Sequence, residues 1–371
     1  MKTVLFVCTF GDFLPSFEMD NIKRYQQMGY FVVAASNFSD EKYNKKTQIL
    51  INEGVALVNV PFRRSPFGIA IFKNTRKLKA IIRKYKPDVV DCHNPVCGII
   101  ARKAASTCGV PKIVYTCHGF HFYRGAPFIN WSFFFPLEKR WSKVCDLIIT
   151  INKEDYSLAK KEFKAKNTVY VPGVGMDYSF FKDHRISVEE KRAELSIPQD
   201  SFLLLSVGEL NKNKNHETVI KSLSYIDNEK VHYAVAGAGS RLTELEDLAK
   251  KLHVEKRVHF LGYRTDTADL YKACDVYVLP SFREGLNVSV MEAMSAGLPC
   301  IVSRIRGNVD MIDNNGGRLC DPRRPEEFAE AIKDLLSTDL SPLGTYNQGK
   351  AAMFDKSNVK KEFDKAYGTI L

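Results

Sequence analysis

Twelve short apolar, β-branched runs, separated by stretches long enough for helices, constrain this chain more than any other feature. Seven runs fall at residues 4–7, 31–34, 55–60, 89–92, 113–116, 147–151 and 169–171. Five more fall at 202–207, 231–235, 258–261, 276–279 and 300–302. Helical periodicity occupies 72–86, 217–225, 241–252 and 325–336 between them. A strand that is apolar along its whole length is covered on both faces. Regular strand–helix alternation therefore predicts α/β architecture with parallel sheets between helical layers. Two such sets in tandem, in 371 residues, predict two doubly wound domains with a cleft between them. Ligands in such sheets bind at the carboxyl ends of the strands, so chemistry is expected in the loops that follow them. The first domain is read as 1–185, ending where a Pro-Gly-Val-Gly turn gives way to a charged segment, and the second as 186–355. A last helix over 356–371 carries Val359, Phe363 and Tyr367 at four-residue spacing, a stripe that must pack on something.

Hydrophobic content of 45% with 26% charged residues is that of a soluble globular chain. No apolar run approaches the roughly 18 residues needed to span a bilayer. The opening Met-Lys-Thr-Val-Leu-Phe-Val-Cys reads as a strand, with no cleavage region after it. Nine cysteines, several inside apolar runs and none in a Cys-x-x-Cys pair, read as reduced thiols of a cytoplasmic protein. The net charge of +11 is uneven: residues 1–185 hold 29 Lys/Arg against 15 Asp/Glu, and the remainder 25 against 28. The basic half is expected to meet something anionic. No nucleic-acid motif is present, so a membrane surface is the better match than nucleic acid.

Three segments carry candidate chemistry. In Ser281-Phe-Arg-Glu-Gly-Leu-Asn-Val-Ser-Val-Met-Glu-Ala-Met, Glu284 and Glu292 stand eight residues apart, after a strand and at the start of a helix. A helix start offers free N–H groups and positive potential to a diphosphate, and ionised carboxylates grip sugar hydroxyls strongly. An acid at a helix start is also common for dipole reasons alone. The second segment, Ser206-Val-Gly-Glu-Leu-Asn-Lys-Asn-Lys-Asn-His216, again runs from strand through loop to helix and brings Lys214 as a point charge. The third is Tyr115-Thr-Cys-His-Gly-Phe-His-Phe-Tyr-Arg-Gly-Ala-Pro127, preceded by Asp91-Cys-His-Asn-Pro95; it sets His118 and His93 at strand ends.

With these motifs in this order, nearly the whole chain resembles glycosyltransferase family 4, the retaining enzymes of the GT-B fold. It is most similar to bacterial enzymes of capsule and exopolysaccharide assembly. The resemblance implies two Rossmann-like domains, the first binding acceptor and the second binding a nucleotide-sugar, with UDP the expected nucleotide. It also implies that the last helix, 356–371, crosses back to pack on the first domain. The catalytic residues implied are His118, facing the donor sugar, with Glu284 and Lys214. Glu292 would accept the ribose hydroxyls, Glu284 the hydroxyls of the transferred sugar, and Lys214 would neutralise the leaving diphosphate. Gly285, Leu286, Asn287 and Val288 would line the same pocket. Gly237, in Ala-Gly-Ala-Gly, is expected to allow close approach of ligand or helix, and Tyr263 and Arg264 to present backbone to the base. No Asp-x-Asp pair occurs, so no metal and no cofactor beyond the donor substrate are expected.

The chain departs from the family in two places. Glu209 stands where a second phosphate-binding Arg is usual; it points away, binds a sugar hydroxyl, or pairs with Lys212 or Lys214. The first loop, Thr9-Phe-Gly-Asp-Phe-Leu-Pro-Ser-Phe17, has Gly11 alone where many relatives have a glycine pair. Gly11, Asp12, Glu18 and His93 are the acceptor-side candidates. The acceptor implied is a saccharide, free or linked to polyprenyl diphosphate. The aromatic stretch 126–141, with the basic helix over 73–86, is a candidate for docking on the inner face of the cell membrane. Two other activities suit the same motifs: nucleotide-sugar binding without transfer, and a nucleotide-sugar 2-epimerase of this fold.

Overall fold

The computed structural model describes residues 1–40, 44–63 and 70–371. The chain divides into two compact units, one of Met1–Val174 with Val359–Leu371 and one of Gly175–Asn358. The break lies earlier than the 185/186 boundary read from the charged segment. Backbone hydrogen bonds account for the difference: Met176 N–H donates to Phe354 at 3.0 Å, and Lys356 N–H to Met176 at 2.9 Å. These bonds, and the packing of Phe181 against Tyr271, tie the segment that begins at Gly175 to the second unit.

Among its described residues the first unit holds seven parallel strands: β1 (Thr3–Phe10), β2 (Phe31–Asn37), β3 (Ala56–Asn59), β4 (Val89–His93), β5 (Lys112–Cys117), β6 (Leu147–Thr150) and β7 (Asn167–Tyr170). Their spatial order is β3-β2-β1-β4-β5-β6-β7. Each face of the sheet has its own apolar layer. The helix Lys356–Gly368 contributes Val359, Phe363 and Tyr367 to one layer, beside Val4, Phe6 and Tyr25 of the N-terminal segment. Arg24 fixes its register by an ion pair to Asp364 at 2.6 Å. On the other face, fully buried Arg102 donates to fully buried Glu138 at 2.6 Å, and Tyr115 Oη donates to the same carboxylate at 3.2 Å. Losing one partner of such a pair leaves an uncompensated charge in the core.

The second unit holds six parallel strands: β8 (Phe202–Val207), β9 (Val231–Ala236), β10 (Val258–Gly262), β11 (Val276–Leu279), β12 (Cys300–Ser303) and β13 (Gly317–Cys320). Their order is β10-β9-β8-β11-β12-β13. Strand β13, Gly-Arg-Leu-Cys, has no β-branched residue and was not expected from the sequence. It forms because β12 offers its open edge, and Gly317 has to be glycine there. A Cβ at Gly317 would lie 1.8 Å from the Cys300 carbonyl oxygen.

In each unit the strand order reverses once, between β1 and β4 in the first and between β8 and β11 in the second. Loops leaving the carboxyl ends of those two strands turn to opposite sides and leave a crevice, the place where open α/β sheets bind ligands. All nine cysteines are free, eight of them buried. Among the described residues no helix is long and apolar enough to cross a membrane.

Candidate active site

At the second unit's reversal point, the loop after β8 and the loop after β11 are stitched to each other. Phe282 N–H donates to the Asn213 carbonyl at 2.8 Å, and Asn213 Nδ2 to the Arg283 carbonyl at 2.9 Å. Asn215, buried and in the left-handed region at φ 56°, turns the first loop into the helix His216–Leu223. Its amide donates to the Pro280 and Pro322 carbonyls at 2.9 and 2.8 Å. Asn213 and Asn215 of the Asn-Lys-Asn-Lys-Asn run thus act as fasteners. They bring Lys214 Nζ to 2.9 Å from Glu284 Oε1, with both side chains mostly covered. Below them, His216 Nδ1 meets Tyr233 Oη at 2.9 Å, Tyr233 donates to Ser206 Oγ at 2.8 Å, and Ser206 donates to the Val278 carbonyl at 2.5 Å. Burial pulls the His216 pKa down to about 4, so this link is neutral.

The helix Val288–Ser295 is capped by Asn287, whose side chain accepts from Ser289 N–H at 2.9 Å. Ser289 Oγ in turn bonds Tyr277 Oη at 2.6 Å. Gly285, Leu286, Asn287 and Val288 form the turn into that cap, with Leu286 and Asn287 buried. The turn is held from behind by Gly307 at φ 81°, where a Cβ would lie 2.1 Å from the Gly285 carbonyl oxygen. Arg306 reaches the Glu284 carbonyl at 3.3 Å. Glu292 lies one turn inside the helix and accepts from Tyr271 Oη at 2.8 Å. Burial lifts its pKa to about 6, an effect the Tyr271 hydrogen bond only partly offsets. Tyr271 and Arg306 were not anticipated; neither stands in a motif segment.

The other second-unit candidates have these surroundings. Glu209 is exposed and takes Asn211 Nδ2 at 2.9 Å, and it pairs with neither Lys212 nor Lys214 among the described contacts. Arg283 is exposed, and Arg264 is committed to Asp266 and Glu194, the latter at 2.7 Å. Tyr263 is 80% exposed. At Gly237 the close approach is by protein, not ligand, since a Cβ would lie 1.8 Å from the Gly208 carbonyl oxygen.

At the first unit's reversal point, β1 and β4 deliver a cavity of about 260 Å³ lined by Thr9, Phe10, Phe13, Asn94, Pro95 and His121. Asn94 sits at φ 65° and accepts from Thr9 N–H at 3.2 Å, a strained non-glycine turn of the kind found at functional sites. Beside the cavity, Phe13 packs against both His93 and His118. These two imidazoles meet Glu18, which lies between the short helices Phe13–Phe17 and Met19–Gln27. Glu18 and His93 are fully buried, and the His118 side chain is 15% exposed. Burial pulls the His93 pKa down to about 4. Burial pushes the Glu18 carboxyl up, but His93, His118 and Asn21 outweigh it and the net shift is downward. Behind His93, burial raises the Asp91 pKa to about 7 against the hydrogen bonds from Tyr367 and Tyr25.

Three of the residues expected separately, Glu18, His93 and His118, therefore form one cluster. Gly11 and Asp12 do structural work in their own loop. A Cβ at Gly11 would lie 2.1 Å from Asn44 Oδ1, and both Asp12 oxygens accept backbone N–H groups, Lys45 at 3.0 Å and Lys46 at 2.8 Å.

Two parallel α/β units, each with polar side chains at its strand-order reversal, have the architecture of the GT-B fold. Solved structures agree on the fold: Anabaena HepE has a TM-score of 0.80 at 18% identity over all of both chains. WaaG, a glycosyltransferase involved in lipopolysaccharide biosynthesis, has a TM-score of 0.72 at 20% identity over 98% of this chain and 100% of its own. The family models for glycosyltransferase family 4 and for glycosyl transferases group 1 match residues 19–175 and 187–351. EpsD of Bacillus subtilis strain 168, which carries a glycosyltransferase name, is 32% identical over 100% of this chain and 97% of its own length. The Escherichia coli UDP-Gal:alpha-D-GlcNAc-diphosphoundecaprenol alpha-1,3-galactosyltransferase is 32% identical over 80% of this chain and 79% of its own. The chain belongs to glycosyltransferase family 4 and is related to enzymes of the bacterial exopolysaccharide type.

Proposed function

We propose that the protein is a retaining glycosyltransferase that moves a sugar from a UDP-sugar to a saccharide carried on polyprenyl diphosphate, in bacterial surface polysaccharide assembly. The observation that carries this reading is the Lys214–Glu284 pair at 2.9 Å, followed eight residues later by Glu292 inside the helix Val288–Ser295. A sugar-gripping acid, a cation and a diol-gripping acid match the sugar, the diphosphate and the ribose of a nucleotide-sugar. The names of relatives support the substrate classes: HepE was solved with UDP-glucose, and the E. coli relative's name contains UDP-Gal and a diphosphoundecaprenol acceptor.

In this reading the bond from the anomeric carbon to the diphosphate breaks, and the acceptor hydroxyl attacks from the same face. Its proton leaves with the diphosphate. Lys214 stabilises the charge that develops on the leaving group, which acts more on the transition state than on the bound donor. This assigns diphosphate neutralisation to a side chain rather than a metal. His118 and Glu18, in the first unit, are assigned to the acceptor and the transferred sugar.

Action on a lipid-linked acceptor fits the first unit's surface. The helices Ala70–Tyr85, Pro95–Thr107 and Phe128–Ser142 enclose a groove of about 510 Å³, lined by Ile71, Ile100, Phe133, Trp141, Lys103 and Arg140 among others. Phe72 and Phe128 are 70% and 83% exposed nearby in sequence. We assign this face to the anionic inner surface of the cell membrane.

The test is transfer from a panel of UDP-sugars to a polyprenyl-diphosphate saccharide, with and without acceptor. Acceptor-dependent product, lost in Lys214→Ala, supports the proposal. An altered sugar nucleotide formed without acceptor identifies an epimerase. Donor binding with no product on any acceptor leaves a binding protein.

A further inference from the structure

We propose that Tyr367, on the last helix, is a positioning residue for the acceptor-side cluster: through Asp91 and His93 it fixes which ring nitrogen of His118 stays bare to accept from a sugar hydroxyl. The proposal rests on the reading that His118 and Glu18 serve the acceptor and the transferred sugar. Tyr367 Oη donates to Asp91 Oδ2 at 2.6 Å. Asp91 Oδ1 faces His93 Nε2 at 3.4 Å, and neither atom has another partner among the described residues. His93 Nδ1 faces Glu18 Oε1 and His118 Nε2, each at 3.4 Å. Glu18 Oε1 and His118 Nε2 also stand 3.4 Å apart. The path thus runs from the helix Lys356–Gly368 through the end of β4 to His118, the partly exposed member of the cluster.

A neutral imidazole carries one proton, and the partner of one ring nitrogen decides where it sits. Burial pulls the His93 pKa down to about 4, so His93 is neutral. Burial also lifts Asp91 to about 7, against the hydrogen bonds from Tyr367 and Tyr25. Above that pH the Asp91 carboxylate draws the His93 proton to Nε2 and leaves Nδ1 an acceptor. Glu18 is ionised: burial pushes its carboxyl up, but His93, His118 and Asn21 carry it below the ordinary value. Two acceptors then face His118 Nε2, which holds the proton between them and leaves His118 Nδ1 bare. Without the Tyr367 hydroxyl Asp91 keeps its proton to higher pH. Neutral Asp91 donates to His93 Nε2 and reverses the tautomers behind it. The titratable and charged groups around Asp91 are Tyr367 of the last helix, Tyr25 and Arg24 of the helix Met19–Gln27, Glu18 before that helix, and His93 with the neutral thiol of Cys92 in its own strand.

A second path leaves the same helix for the same cluster. Arg24 Nε donates to Asp364 Oδ1 at 2.6 Å, and another Arg24 nitrogen donates to Asn21 Oδ1. Asn21 Nδ2 donates to Glu18 Oε2 at 2.6 Å. Arg24 also lies over the rings of Tyr367 and Phe363, at 5.3 and 5.9 Å. Docking the helix needs none of these polar links. Val359, Phe363 and the Tyr367 ring supply an apolar stripe, and burying Asp91 is a cost that such a stripe would spare. Packing holds the rings still: Phe6 stacks on His93, and Tyr25 stands edge-on to both Phe6 and Tyr367. Both polar paths end on the two groups that face His118.

The test is Tyr367→Phe in the full chain, which keeps the ring and loses only the hydroxyl. Lys365→Ala, exposed on the same helix and paired with Glu362, is the control. Heteronuclear NMR of labelled histidines reads the tautomers of His93 and His118 with no substrate present. Wild type should carry both protons on Nε2; Tyr367→Phe should move them toward Nδ1, and Lys365→Ala should not. Acceptor-dependent transfer by Tyr367→Phe should fall about 10–10²-fold in kcat, the range for a misplaced group near reacting atoms, with Kd for the UDP-sugar unchanged. The acid limb of its pH–rate profile should move up by about one pH unit, because Asp91 must be ionised and has lost a donor. A Tyr367→Phe variant that melts like wild type and keeps the histidine spectrum overturns the positioning, whatever His118→Ala does. Normal transfer by folded His118→Ala overturns instead the acceptor reading, and with it the role of the bare nitrogen.

Discussion

The two units have the same strand order around their reversal points, yet the acids delivered there are in opposite states. In the second unit each acid has a strong protein partner: Glu284 holds Lys214 at 2.9 Å, and Glu292 holds Tyr271 at 2.8 Å. In the first unit one Glu18 oxygen takes Asn21 Nδ2 at 2.6 Å, while the other faces His93 and His118 at 3.4 Å, longer than a good hydrogen bond. A topology thus fixes where chemistry sits without fixing its kind. A satisfied ion pair resembles a latch that a charged ligand exchanges into.

The largest effect expected from breaking this contrast is in the second unit. Lys214→Ala should lower the transfer rate about 10²–10³-fold, the range for removing one transition-state charge stabiliser, with donor affinity falling far less. Steady-state rates over a donor titration separate the two quantities. Next, Gly307→Ala forces a Cβ to within 2.1 Å of the Gly285 carbonyl oxygen at a φ of 81°. It should destabilise the second unit by about 1–3 kcal/mol, read as a lower urea midpoint, and leave the first unit's core untouched.

A smaller effect comes from pH. Burial raises Glu292 to about 6 from its ordinary 4.5, so the folded state holds the proton more tightly than the unfolded chain. Its contribution to stability is complete below about pH 4.5 and is lost as pH rises through 6, a change of about 2 kcal/mol. Unfolding measured at pH 4.5 and 7, with Glu292→Gln beside wild type, should show that difference only in wild type. Donor affinity should move the opposite way and strengthen as Glu292 ionises. The smallest effect is Tyr271→Phe, which removes one hydrogen bond to Glu292. It should cost about 1 kcal/mol of stability and weaken donor binding several-fold by calorimetry.

Strand–helix alternation was legible because fully buried strands are apolar along their whole length. Strand β13 was not, since Gly317–Cys320 draws its stability from the edge of β12 and not from its own residues. The loop residues Lys214, Glu284 and Glu292 were readable as a motif, whereas the Asn213 and Asn215 bonds that join their loops depend on three-dimensional closure. Glu18, His93 and His118 were each singled out, but for separate reasons. They are 25 and 75 residues apart, and only the adjacency of β4 and β5 unites the histidines. Gly11 and Asp12 hold their own loop, and a loop residue needed for packing looks the same in sequence as one needed for a ligand.

The central claim is that the loop–helix of the second unit is the nucleotide-sugar site. It is tested most directly by thermal shift with nucleoside diphosphates and nucleotide-sugars, wild type beside Glu292→Ala. The account predicts stabilisation of wild type by UDP, approaching about 2.7 kcal/mol at a hundredfold excess over Kd, and its loss in a variant that still melts cooperatively. An equal shift in both proteins, or no shift with any nucleotide, would contradict it.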